Sequence, residues 1–134
     1  MKKIGILLTV AVIATILFLT LQSSEDTLHL SETVRTFLHD RGIDMSSTQL
    51  RSDVHVFEYL PLGFVLCLWL GWKKGILIGS LLGLADETLK IFLPTREFSA
   101  VDFGKDVIGV TAGAALCLIL KMIVTMIKDQ RTNS

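Results

Sequence analysis

The sequence predicts an all-α membrane protein: a four-transmembrane-helix bundle with a short amphipathic extracytoplasmic helix between the first and second spans. Apolar residues make up 51% of the chain, apolar segments long enough to cross a bilayer recur along it, and Lys and Arg gather at one set of segment ends. Residues 1–134 are expected to form a single domain. Because the 13 basic and 13 acidic residues balance, bulk charge indicates no nucleic-acid partner.

The first span is expected at about residues 4–21, directly after Lys2 and Lys3. A cleaved signal peptide is the alternative interpretation. The apolar run is longer than the usual core of such a peptide, and no small-x-small cleavage site follows it, so a retained helix is favoured. Residues 22–53 form a polar loop with more acidic than basic residues, which suits the extracytoplasmic side.

A short helix is expected inside this loop. Ser31 can cap its start, Gly42 can stop it, and Val34, Phe37 and Leu38 share one face. Such a helix lies either on the outer membrane surface or against its own protein. Packing against the protein is the favoured interpretation.

The other three spans are expected at residues 54–72, 76–93 and 106–127. Pro61 falls inside the second span, where it removes a backbone donor and frees a carbonyl or kinks the helix. Lys73, Lys74 and Gly75 predict a tight basic turn before the third span, and Pro94 is expected to end that span.

The distribution of Lys and Arg sets the orientation. One set of span ends carries seven basic residues: Lys2, Lys3, Lys73, Lys74, Lys121, Lys128 and Arg131. The other set carries Arg35, Arg41, Arg51, Arg96 and Lys105, spread over a longer and more acidic stretch. A multi-pass protein with both termini in the cytoplasm follows.

Charged residues interrupt the third span at Asp86, Glu87 and Lys90. Each charge at the centre of a membrane helix costs about 2.5 to 3.5 kcal/mol on an insertion scale, and each Leu or Ile returns about 0.3 to 0.6 kcal/mol. The span therefore needs partners for these groups. At 1.5 Å per helical residue, other polar residues reach the same outer layer. The candidate ligand-binding residues are His55, Glu58, Tyr59, Asp86, Glu87, Lys90, Arg96, Asp102 and Asp106.

Small residues at helical spacing lead toward these charges. Gly75, Gly79 and Gly83 recur at i+4 before Glu87 on the third span. On the second span His55, Tyr59, Gly63 and Cys67 follow at the same spacing, and on the fourth Asp106, Gly109 and Gly113 line one side. Stripes of small residues allow close helix packing in membranes, so a packed half is expected to support a polar pocket.

The charges of this layer do not balance. Glu58, Asp86, Glu87, Asp102 and Asp106 face only Lys90 and Arg96 as bases. A purely structural interpretation pairs Lys90 with Asp86 and Glu87, and Arg96 with Asp102. The remaining charge predicts that a carboxyl group is protonated or that the pocket takes a cationic group.

The motifs around these residues resemble the VanZ-like family of small bacterial membrane proteins. The resemblance rests on HVFEY at residues 55–59, on DETLKIFLPTR at residues 86–96, and on Asp102, Gly109 and Gly113. It covers roughly the second to fourth spans. Lys90 stands where the family usually has Gln and Asp106 where it usually has Asn, either as a compensating charge pair or as a sign of a different ligand.

The resemblance implies a four-span protein of the bacterial cytoplasmic membrane that is associated with low-level resistance to teicoplanin-type lipoglycopeptides. It implies no particular reaction and no cofactor. The expected partner is a membrane lipid or a lipid-linked cell-wall molecule, whose head group the outer pocket binds. Arg96 and Lys90 would then take phosphate or carboxylate oxygens, the acids would accept amine or hydroxyl hydrogens, and Tyr59 would line the wall.

The alternative function is an intramembrane enzyme that acts on an outer-leaflet lipid-linked substrate. Glu87 or His55 would be the general base and Arg96 would stabilise negative charge. A metal-dependent version would use His55, Glu58, Asp86 and Glu87, although a single His among carboxylates is a weak metal signature and no metal is assigned. A subunit of an assembly or a very small transporter is a third possibility, and the sequence leaves the oligomeric state open. Cys67 and Cys117 lie in apolar segments and are expected to be packing residues.

Overall fold

The computed structural model of the chain describes residues 2–21, 32–37, 39–42, 47–93 and 97–132. Over these ranges it contains helices and turns and no strand, which confirms the all-α prediction. The four long helices are α1 (Lys2–Leu21), α2 (Ser47–Leu70), α3 (Trp72–Lys90) and α4 (Ala100–Thr132).

Helix α1 agrees with its predicted span, and α4 extends beyond its span at both ends. Helix α2 begins before the predicted residue 54 and ends at Leu70, before the predicted residue 72. Pro61 lies inside α2 without ending it. Helix α4 has 33 residues, or about 50 Å, against about 30 Å for the hydrocarbon core of a bilayer. Hydrophobicity predicts only the part of a helix that lipid would cover. It therefore does not predict the polar extensions at the start of α2 and at both ends of α4.

The turn between α2 and α3 differs from the prediction. It lies at Gly71, whose φ of 83° is readily accessible only to glycine. Lys73, Lys74 and Gly75 instead belong to the first turn of α3, and the Gly75 N–H donates to the Gly71 carbonyl at 2.9 Å. Gly75 serves packing, since an added Cβ would lie 3.0 Å from the backbone nitrogen of Cys67.

Helix α3 ends at Lys90, before the predicted residue 93. The next three residues form a tighter turn in which the N–H of Leu93 donates to the Lys90 carbonyl at 3.0 Å. Such i to i−3 bonds commonly close the last turn of a helix. Pro94, the expected helix breaker, lies outside the described residues.

The closest helix crossing joins α2 and α4. A Cβ added at Gly63 would overlap the Val110 carbonyl oxygen, and one at Gly113 would overlap the Leu60 carbonyl oxygen. The predicted stripes of small residues are therefore confirmed as contact surfaces. Helix α3 packs against the same pair, with Gly79 against the Val110 side chain.

Helix α1 contacts the bundle along one stripe, in which Gly5, Thr9, Ile16 and Thr20 are buried. Gly5 lies against Trp69, whose indole N–H donates to the Thr9 hydroxyl at 3.1 Å. The start of α1 thus meets the end of α2. The end of α1 reaches α3 through Thr20, so successive long helices alternate in direction.

The loop helix is partly described. Residues 32–37 are helical and Gly42 has a φ of 80°, in agreement with the predicted stop. Val34 and Phe37 are 39% and 54% exposed, which disagrees with the expected packing against the protein. Ser31 and Leu38, the expected cap and third apolar residue, lie outside the described residues.

Three helices in the described ranges are long and apolar enough to cross a membrane: α1, the part of α2 from Asp53 to Leu70, and α4. Helix α3 has 19 residues but carries Lys73 and Lys74 at one end and Asp86, Glu87 and Lys90 near the other. Because of these charges, α3 does not meet the criterion of length and apolar composition that the other three helices meet.

Candidate functional site

Charged and polar side chains from all four helices meet at one end of the bundle, formed by the ends of α1 and α3 and the starts of α2 and α4. We call the following residues the polar cluster: His55, Glu58, Asp86, Glu87, Lys90, Asp102 and Asp106. All of them were predicted as site residues. The convergence follows from the alternating helix directions, since residues far apart in sequence occupy the same level.

The part of the cluster on α3 is almost completely buried. Asp86 and Lys90 are 5% and 4% exposed and Glu87 is 0% exposed. The Lys90 ammonium group forms a hydrogen-bonded ion pair with Glu87 and lies 3.7 Å from Asp86 Oδ2. The predicted pairing of Lys90 with both acids is therefore present. It engages the ammonium group that was expected to bind phosphate or carboxylate oxygens of a ligand.

Thr20 supplies a contact that sequence reasoning missed. Its hydroxyl donates to Asp86 Oδ1 at 2.6 Å, and both side chains are buried. The available signal was the position of Thr20 on the same stripe of α1 as Gly5, Thr9 and Ile16. A polar residue on the packed face of a membrane helix typically faces a partner, since lipid offers none.

Ser99 connects the start of α4 and the cluster. Its Oγ accepts the Asp102 N–H at 3.2 Å, the geometry of a residue that caps a helix. Its own N–H donates to Glu87 Oε2 at 3.1 Å. The Ser-x-x-Asp pattern at residues 99–102 was the signal for the cap, but the bond to α3 had no sequence signature.

His55 and Asp106 form the part of the cluster between α2 and α4. His55 Nδ1 lies 3.1 Å from Asp106 Oδ1 and 3.9 Å from Glu58 Oε2. Asp106 is 0% exposed. Neither His55 Nδ1 nor either Asp106 oxygen makes a hydrogen bond with the described residues, so a buried carboxylate lacks the donors that such groups normally have.

One group of side chains has the spacing of metal ligands. Ligand atoms of His55, Glu87 and Asp102 all lie within 4.8 Å of one another. The set weighed from the sequence combined His55 and Glu87 with Glu58 and Asp86. The structure brings Asp102 to this position because Ser99 ties the start of α4 to Glu87.

An apolar cavity of about 220 Å³ adjoins the polar cluster. Helices α1, α2 and α3 line it, mainly with Ile and Leu side chains, and its polar wall includes Asp86 and Tyr59. Tyr59, which was expected to line the head-group pocket, is buried and lines this apolar cavity. The cavity places an apolar space directly beside buried charges.

Two expectations concern the remaining charges. Arg96, predicted to bind an anion, lies outside the described residues. The compensating pair suggested for Lys90 and Asp106 is not formed: among the described ion pairs, Lys90 contacts Asp86 and Glu87, whereas Asp106 contacts His55. The two departures from the family pattern therefore have different immediate partners.

Long apolar helices surround a buried cluster of ionisable residues, so the chain belongs to the class of helical proteins that can cross a membrane more than once. The family model described as VanZ/LLP1 matches residues 5–121. The chain therefore belongs to the VanZ/LLP1 family, and the match includes α1, which the motifs alone did not cover. No curated protein matches the chain. No solved structure matches it either.

Proposed function

We propose that the polar cluster binds the head group of a membrane amphiphile whose hydrocarbon tail occupies the apolar cavity. The single observation that carries this proposal is the shared wall of the two spaces, where Asp86 belongs to both. A lipid, a lipid-linked cell-wall precursor and a lipid-tailed glycopeptide such as teicoplanin all combine a polar head with an apolar tail. An envelope or teicoplanin-resistance function follows from family membership together with this binding.

The charges of the cluster favour particular head groups. Its buried members provide three carboxyl groups, from Asp86, Glu87 and Asp106, and one ammonium group, from Lys90, which already contacts Asp86 and Glu87. Acceptors therefore outnumber donors, which favours a head group with amine or hydroxyl hydrogens over a bare phosphate. Arg96 remains the proposed anion-binding residue.

We further propose four membrane spans, with α3 as the third span and the polar cluster toward the outer leaflet of the bacterial cytoplasmic membrane. A length of 19 residues corresponds to about 28 Å of helix. Asp86, Glu87 and Lys90 are buried against protein rather than lipid, which lowers the insertion cost that they would otherwise impose. Both termini then lie in the cytoplasm.

Cysteine labelling tests this topology. Cys67 and Cys117 are first replaced by Ala, and Asp40→Cys, Lys73→Cys and Glu97→Cys are then introduced one at a time. An impermeant maleimide added to intact cells should label positions 40 and 97, and should label position 73 only after permeabilisation. Labelling of positions 73 and 97 from the same side would show that α3 does not span the membrane.

Native mass spectrometry of the detergent-purified chain tests amphiphile binding. Leu82 lines the cavity and Leu81 is 56% exposed on the same helix. Leu82→Phe should remove a co-purifying amphiphile because the larger ring fills the space of the tail, and Leu81→Phe should retain it. Asp86→Asn should weaken head-group binding. Equal lipid occupancy in all variants would contradict the proposed site.

Cells that express these variants connect binding to resistance. Wild-type chain and Leu81→Phe should raise the minimum inhibitory concentration of teicoplanin, and Leu82→Phe and Asp86→Asn should not. Vancomycin, which lacks the lipid tail, serves as the comparison antibiotic. Retained teicoplanin resistance in variants that bind no amphiphile would separate resistance from this site.

An intramembrane enzyme is the second candidate function. The favouring observation is the 3.1 Å distance between His55 Nδ1 and Asp106 Oδ1, since a carboxylate next to an imidazole can orient it as a general base once a hydrogen bond forms between them. Incubation of the purified chain with lipid extract, followed by mass spectrometry of the head groups, tests this alternative. Turnover that His55→Gln abolishes would support it, and an unchanged lipid profile would exclude it for those lipids.

A further inference from the structure

We infer that His55, Glu87 and Asp102 form a binding site for one divalent transition-metal ion, with Mn²⁺ or Zn²⁺ as the occupant that the ligands favour. Their ligand atoms lie within 4.8 Å of one another. Ligands bound to one ion at 2.0 to 2.2 Å lie about 3 to 4.4 Å apart, so small side-chain movements complete the site. The inference concerns the polar cluster but does not require that an amphiphile binds there.

The first support is the mixture of ligand types. One imidazole with carboxylate oxygens suits Mn²⁺ and Zn²⁺ better than Mg²⁺ or Ca²⁺, which prefer oxygen ligands alone. The three residues come from α2, α3 and the start of α4. A single ion would therefore link three helices at the polar end of the bundle.

The second support comes from a residue outside the ligand set. Asp106 is fully buried and its oxygens have no hydrogen-bond donor among the described residues. Its Oδ1 lies 3.1 Å from His55 Nδ1. A metal-bound imidazole commonly donates its other N–H to a carboxylate, which orients the ring and increases its basicity; Asp106 would accept that hydrogen bond once the His55 ring turns toward the ion. We assign Asp106 this positioning role.

The third support is the charge of the cluster. Among the described residues, Asp86, Glu87 and Asp106 contribute three buried carboxyl groups to this end of the bundle, where Lys90 contributes one buried ammonium group. Buried charge of one sign requires compensation, and a divalent cation supplies two positive charges at the point where three of the helices meet. Protonation of the carboxyl groups is the competing form of compensation.

The contacts of Glu87 are compatible with a metal ion. Its oxygens accept hydrogen bonds from Lys90 Nζ and from the Ser99 N–H. Two carboxylate oxygens offer about four lone-pair positions, so these bonds leave capacity for an ion. Lys90 and Ser99 would then hold the carboxylate in place, as outer partners of metal-bound carboxylates do.

Metal binding to the full chain in detergent tests the inference without any lipid. The protein is stripped with EDTA, exchanged into buffer without chelator, and titrated with Mn²⁺ while the signal of free Mn²⁺ is followed by electron paramagnetic resonance. The wild-type chain should bind about one Mn²⁺, and Zn²⁺ should displace it. The absence of saturable binding would overturn the inference and favour protonated carboxyl groups.

Substitutions of individual residues test which side chains bind the metal ion. His55→Gln and Asp102→Asn should weaken Mn²⁺ binding at least tenfold because each removes a ligand, and Asp106→Asn should weaken it about 10- to 100-fold through the orientation of His55. Asp53→Asn is the matched control. Asp53 also carries a carboxylate in the first part of α2, the helix that contains His55, but it contacts Lys105 at 2.7 Å. An equal loss in Asp53→Asn would mean that Mn²⁺ responds only to total charge.

A spectroscopic measurement separates a ligand from a structural residue. Electron spin echo modulation of bound Mn²⁺ should contain a ¹⁴N coupling from the imidazole in wild-type protein and in Asp53→Asn. The coupling should disappear in His55→Gln at Mn²⁺ concentrations that still occupy the site. Full occupancy without ¹⁴N coupling in the wild-type chain would exclude His55 as a ligand. Amphiphile binding by the metal-free chain is measured separately, so either proposal can fail alone.

Discussion

Thr20 donates its hydroxyl hydrogen to Asp86 over 2.6 Å, which joins the end of α1 to the most polar part of α3. Both residues are buried. In a low-dielectric environment the lost bond to a buried carboxylate is costly because the oxygen then has no replacement donor. The contact makes α1 a wall of the site, and it leads directly to the first prediction.

Thr20→Val should destabilise the folded chain by about 1 to 3 kcal/mol because it leaves a buried carboxylate oxygen without its donor. Unfolding in mixed micelles with increasing SDS measures the change. Thr15→Val is the matched control, since Thr15 is exposed on the same helix and bonds only to the Ala11 carbonyl. The stability of Thr20→Ser should stay near that of wild type. An equal loss of stability in both Val variants would contradict the predicted contribution of the hydrogen bond between Thr20 and Asp86.

Gly113→Ala should disrupt the crossing of α2 and α4. The added Cβ would overlap the Leu60 carbonyl oxygen, and backbone atoms cannot move aside as a flexible side chain can. Gly104→Ala is the control on the same helix, because a Cβ added there would meet nothing within 4 Å outside its own helix backbone. We expect Gly104→Ala to be neutral or stabilising by up to about 1 kcal/mol. Thermal unfolding in detergent should show a large loss for Gly113→Ala only.

Lys121→Met should weaken the end of α2. The Lys121 ammonium group donates to the Cys67 carbonyl at 3.0 Å and lies 3.5 Å from the Leu68 carbonyl, among the last carbonyls of that helix, which lack partners within it. A cation at a helix C-terminus and a charged hydrogen bond together contribute about 1 to 2 kcal/mol.

Lys128→Met provides the comparison for Lys121→Met, since Lys128 is exposed further along α4. The free energy of unfolding of both variants in SDS-containing micelles checks the prediction. Hydrogen exchange should also increase at residues 67–70 in Lys121→Met alone. Identical exchange in the two variants would show that the end of α2 does not depend on Lys121.

Double-mutant cycles should show that Lys90 is coupled to Glu87 more strongly than to Asp106. Lys90 forms an ion pair with Glu87, whereas the described ion pairs do not join Lys90 to Asp106. Removing one member of a buried pair costs about 3 to 5 kcal/mol. Lys90→Met should therefore be partly rescued by Glu87→Gln and less by Asp106→Asn. A larger coupling to Asp106 would indicate that the two departures from the family pattern compensate each other directly.

Helical spacing predicted the parts of the fold that depend on periodicity. Gly63 and Gly113 lie at the α2–α4 crossing because small residues at i+4 intervals form one face, and the charges of α3 are buried because lipid offers them no partner. The same reasoning placed all the described cluster residues at one end of the bundle. It depended only on helix direction and rise per residue.

Other features depended on information that spacing does not contain. Both Gly71 and Gly75 suit a turn; the positive φ falls on Gly71, while Gly75 is required for close approach to Cys67. The partner of Thr20 depends on the rotation of α1 about its own axis. The proximity of Asp102 to His55 depends on how Ser99 starts α4. Each of these outcomes is set by three-dimensional packing rather than by local sequence.

The glycine contacts between α2 and α4 have a consequence for the way the bundle is held together. Those two helices interlock through backbone, whereas the described side-chain hydrogen bond that holds α1 to α3 is the one from Thr20 to Asp86. The seam between α1 and α3 thus depends on a side-chain hydrogen bond, whereas the α2–α4 crossing depends on backbone contact. Loss of the Thr20 hydroxyl would therefore remove the described hydrogen bond between α1 and α3 and leave the backbone contacts between α2 and α4 in place.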